Sequence, residues 1–145
     1  MTLMAEASTT RTDFESAVDQ FNEALNAWKL AADSKRDADA ALRVALRNLD
    51  VIEAQVRVIA SLDGRLSASN EKGREAQLIG LLQESSDYKK ALAEIETAKT
   101  EAQRWTNAAE AERDRLSLNK RVMDWTINWI RFLGNEGGES NARTG

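Results

Sequence analysis

From Thr12 to Leu62 the chain contains neither glycine nor proline, and Phe14, Val18, Phe21, Leu25, Trp28 and Ala32 recur in alternating steps of four and three. That 3.5-residue period is the seam of a coiled coil, in which each helix lays one apolar stripe against a partner. Carried forward unchanged, the register would place Lys35 and Asp39 on the seam. The apolar residues that follow are instead Ala38, Leu42, Ala45, Leu49, Ile52, Val56 and Ile59. A change of phase is therefore expected between Asp33 and Ala38, with a kink near Ser34.

The first helix is predicted over about 12–63. Thr12 and Glu15 form a capping box at its start, and Gly64 supplies the left-handed residue that ends it. A second, short helix is predicted over about 71–84, with Ser69 or Asn70 as its cap. Gly73 and Gly80 lie seven residues apart on it, either as close-approach points or as two weak helix positions. Ser85 or Ser86 caps a third helix over about 87–133. Its seam reads Tyr88, Leu92, Ile95, Ala98, Ala102, Trp105, Ala109, Leu116, Met123, Ile127, Ile130 and Leu133. Residues 1–11 read as a flexible lead, 12–134 as a single helical domain and 135–145 as a disordered tail.

The fold class is thus all-α: an antiparallel, coiled-coil-like hairpin of two long helices with a short helix between them, assembling into a helical bundle. Charge supports folding back. Between Asp13 and Asp39 seven acids face three bases, whereas between Arg104 and Arg131 six bases face four acids. Antiparallel pairing sets these segments side by side.

The densest apolar segment is Val122 to Leu133. On a helix, Met123, Ile127, Ile130 and Leu133 form one stripe, and Trp125, Trp129 and Phe132 form a second. One partner helix covers only one stripe. The second stripe, with Ile130 beside it and Trp28 brought to the same end of the hairpin, is the candidate interaction surface, and a homo-oligomer, a dimer first, is the simplest way to bury it.

Composition excludes most chemistry. With no histidine and no cysteine, the chain builds neither a Ser/His or Cys/His nucleophile pair nor a Glu-x-x-His di-metal site. The carboxylate pairs Asp33/Asp37 and Glu71/Glu75 have helical spacing of the kind that acidic helices carry by chance, and no glycine pattern matches a phosphate loop. No enzyme activity, cofactor or metal is expected. Lys120, Arg121 and Arg131 flank the tryptophans and form a candidate nucleic-acid site, although a net charge of −4 weighs against broad phosphate binding. No apolar run spans a membrane, and a cytoplasmic location is the default expectation.

The middle of the chain carries Ser69-Asn70-Glu71-Lys72-Gly73-Arg74-Glu75-Ala76-Gln77-Leu78, then Leu81-Leu82, then Ser86-Asp87-Tyr88-Lys89-Lys90-Ala91-Leu92. Over about residues 40 to 133 it resembles small all-helical accessory proteins of phage and prophage recombination or early gene modules. The resemblance implies a non-enzymatic interaction protein in the host cytoplasm, with a host or phage protein as partner. It also implies two alternatives: a single-stranded DNA-binding or recombination accessory role, or inhibition of a host protein. The acidic first helix and the tryptophan-dense end depart from that pattern.

Overall fold

The computed structural model describes the backbone of residues 3–143 and the side chains of residues 11–136. It contains α1 (Leu3–Leu62), α2 (Glu71–Glu84) and α3 (Ser86–Arg143), with no strand among the described residues. The long helices α1 and α3 pack against each other with the short α2 between them in sequence. The helical body divides into two compact units. Unit 1 pairs Met1–Asp33 with Asn107–Gly145, and unit 2 comprises Ser34–Thr106.

The helix junctions follow local chemistry. Gly64 ends α1 at φ 70, where Arg65 N donates to Ala60 O at 2.8 Å and Gly64 N to Ser61 O at 3.3 Å, the paired bonds of a Schellman cap. Asn70 caps α2: its side chain accepts from Gly73 N at 2.6 Å. Ser85 both closes α2 and opens α3. Its N–H donates to Leu81 O and Leu82 O, and its Oγ accepts from Tyr88 N at 3.3 Å.

The outer helix ends lie beyond those expected. α1 starts at Leu3, upstream of the Thr12 cap, and α3 runs through Gly134 to Arg143. The physical reason is that nothing forces a stop: Met4-Ala5-Glu6-Ala7 are good helix formers, and Gly134 keeps a negative φ and costs only about 1 kcal/mol relative to alanine. The expectations for Met1, Thr2, Thr144 and Gly145 lie outside the described residues.

The seam on α1 also differs from the expectation. Its most buried positions in unit 1 are Ala17, Ala24 and Ala31, and Ala38 follows in unit 2. These are spaced by seven, so the register passes Ser34 without the expected change of phase. Phe14, Phe21 and Trp28 alternate with the alanines on this seam and are half-buried, while Val18, Leu25 and Ala32 lie one position to the side. Ile59 is exposed where Ala60 is buried. Small side chains occupy the line of closest approach in a two-helix pair, and bulky ones straddle its edges. The same correction applies to α3, where Ala91 is buried and Leu92 exposed, and Thr126 is buried beside a half-buried Ile127.

In unit 2, α2 is fastened to its surroundings by polar contacts. Arg57 on α1 meets Glu75 on α2 at 2.7 Å, Ala68 N donates to Gln77 Oε1 at 3.1 Å, and Arg74 donates to Ala68 O at 3.1 Å. Leu78 and Leu82 supply its buried apolar face. The hydrogen bond from Arg57 holds the Glu75 carboxyl below the usual glutamate range, and the same bond raises Arg57.

Candidate interaction surface

Unit 1 carries the surface on its α3 segment. The covered seam there reads Leu116, Asn119, Met123, Thr126, Ile130 and Leu133, all buried or half-buried. Its heptad includes polar members: Thr126 is satisfied within the helix by donating to Val122 O at 2.9 Å, and Asn119 by donating to Arg115 O at 2.9 Å. Glu112, one heptad before Asn119, lies 3.5 Å from Arg115 Nη1. Its Oε2 is shielded from solvent without a hydrogen bond, so this pair has ion-pair distance but poor geometry.

One residue to the side runs a second stripe of the same period. Leu118, Val122, Trp125, Trp129 and Phe132 step by four, three, four and three, and all five are exposed, Trp125 at 66% and Phe132 at 51%. Trp125 and Trp129 stack with ring centroids 6.4 Å apart and planes within 2°, and Trp129 stacks on Phe132 at 5.3 Å. The rings therefore form one continuous apolar ledge rather than three separate side chains. Trp125 and Trp129 are shown making no indole N–H hydrogen bond to another described residue. By contrast Trp105, in unit 2, donates to Glu101 at 2.8 Å and carries Arg104 over its ring at 5.2 Å.

Of the residues singled out from sequence, Trp125, Trp129 and Phe132 form this ledge. Ile130 is half-buried on the covered seam, and Trp28 is half-buried on the α1 seam of the same unit. Lys120, Arg121 and Arg131 do not come together. At about 100° per residue, Arg121 flanks the ledge, whereas Lys120 and Arg131 point roughly 140–160° away from its centre. Leu118 and Val122 were not among the sequence candidates. Counting the four-three spacing backwards from Trp125 finds both.

Among the described residues no group of three His, Cys, Asp or Glu side chains could hold a metal ion. No helix of the described residues is long and apolar enough to cross a membrane. The Glu71/Glu75 pair is drawn apart in function, since Glu75 is engaged by Arg57. Comparison of the chain with family models, with characterised proteins and with solved structures finds no match.

Proposed function

We propose that this chain is a non-enzymatic interaction protein that self-associates through the α3 stripe Leu118, Val122, Trp125, Trp129 and Phe132. One observation carries the reading: this stripe is contiguous, aromatic and exposed on a helix whose other apolar seam is already covered. Its apolar surface is on the order of 500 Å², at the upper end of what a monomer leaves in water. Set against a similar area on a second copy it makes about 1,000 Å², the lower bound for a specific interface. The 3.5-residue period suits another helix running alongside, and a second copy of this chain offers such helices.

Nucleic-acid binding of the phage recombination type finds less support, because Lys120 and Arg131 face away from the rings on which bases would stack. Emission from Trp125 and Trp129 tests the reading. Between nanomolar and high-micromolar protein the spectrum shifts to the blue, and the shift is absent when both residues are replaced by phenylalanine. A concentration-independent spectrum that is quenched by a single-stranded oligonucleotide at low salt would overturn self-association in favour of nucleic acid.

A further inference from the structure

We infer that the aromatic stripe of one copy docks not on the same stripe of its partner but on the α1 face of the partner's unit 2. This inference rests on the self-association reading and names the counterpart surface. On the unit 2 segment of α1, Ala41, Val44, Asn48, Val51, Gln55, Val58 and Leu62 step by three and four without a break. Val44, Val51 and Val58 are 63%, 52% and 57% exposed. This is a second heptad seam that the described residues leave exposed, and its period matches that of the aromatic stripe, so the two can run side by side over several turns.

Size favours this pairing over stripe against stripe. Facing positions interdigitate when large residues meet small ones, and two rows of stacked indoles would hold the helices apart. The α1 face presents Ala41 and three valines interleaved with Asn48 and Gln55, all smaller than an indole, and beside Ala41 lies an open groove of about 470 Å³ lined in part by Ala38, Ala93 and Ala98. Such a groove takes an aromatic side chain as a knob.

Polar chemistry agrees. Glu94 and Glu101 line the groove together with Lys90. Glu101 is occupied by the indole N–H of Trp105, one turn along the same helix, at 2.8 Å. Glu94 is the second carboxylate acceptor on this rim. Glu101 is paired with Arg104 at 3.5 Å, which leaves Glu94 as the rim carboxylate for Arg121, the cation that flanks the aromatic stripe. Each such contact joins about 500 Å² from the stripe to a similar area of α1. The two surfaces together make about 1,000 Å², the lower bound for a specific interface.

Two variants and their mixture decide the matter. Trp125→Ser with Trp129→Ser removes the stripe, and Val44→Lys with Val51→Lys spoils the α1 face at exposed positions where the fold tolerates lysine. Circular dichroism confirms that each remains helical. Each alone should associate at least about tenfold more weakly than the parent chain in sedimentation equilibrium. Equimolar mixing should then produce a one-to-one complex, because an intact stripe meets an intact face. Parental association by the lysine variant, or a mixture that stays monomeric, would overturn the stripe-to-face pairing while leaving self-association standing. A parent chain that is itself monomeric would remove both.

Discussion

At the scale of single residues, Gly73 and Gly80 show how one residue type in one helix answers to different constraints. A Cβ at Gly73 would lie 2.7 Å from the Ala68 Cβ and 2.9 Å from Asn70 Oδ1, whereas one at Gly80 would meet nothing within 4 Å. Gly80→Ala should therefore raise stability by up to about 1 kcal/mol through helix propensity. Gly73→Ala should lower it despite the same propensity gain, since the cap itself must move. Thermal unfolding of the two variants checks the opposite signs. Glu112 offers a second test. One carboxylate oxygen is shielded without a hydrogen bond, and leucine would remove that unmet acceptor from a half-buried position. Glu112→Leu should raise the unfolding free energy by about 1 kcal/mol in urea titration, and a loss of stability would mean that Arg115 depends on it. Sequence reasoning left the two glycines undecided and did not single out Glu112, because both answers depend on neighbours that spacing does not reveal.

At the scale of elements, the short-range grammar was legible. The Gly64 cap, the Asn70 cap and the Ser85 junction were each readable from residues within a turn of the helix end, because capping is local chemistry. The seams were readable in period but not in phase. Ranking residues by hydrophobic bulk selects Val18 and Leu92, whereas close helix packing selects Ala17 and Ala91. The apparent change of phase at Ser34 came from following bulk, and the alanine heptad from Ala17 to Ala38 dissolves it. The outer ends of α1 and α3 were illegible for another reason: those segments hold no residue that compels a stop. The hold of α1 on α2 carries a pH prediction. Glu75 has its carboxyl pKa depressed in the folded chain by the hydrogen bond from Arg57. The contribution is present above the ordinary glutamate value and is lost as pH falls through the depressed folded value. Arg57, being raised, loses its charge only at strongly alkaline pH. Amide exchange in α2 should accelerate on acidification relative to that in the Ala24 region of α1, and Glu75→Gln should remove most of the difference.

At the scale of the whole molecule, fold and function differ in how far sequence reached. An all-helical hairpin followed from period, charge and the absence of helix breakers, and the structure has that form. The aromatic end followed as a geometric problem, one stripe too many for one partner, and Trp125, Trp129 and Phe132 do stand exposed. The receiving face did not follow, because Val44, Val51 and Val58 are unremarkable in bulk and become a surface only once the alanine seam beside them is known. If the exposed stripe drives self-association, sedimentation equilibrium of the full chain across the micromolar range reads it out. The expected mass is at least twice that of the 16.1 kDa chain, falling toward a single chain when Trp125 and Trp129 are both replaced by serine. A single-chain mass throughout that range, with Trp125 still freely quenched by acrylamide, would contradict it.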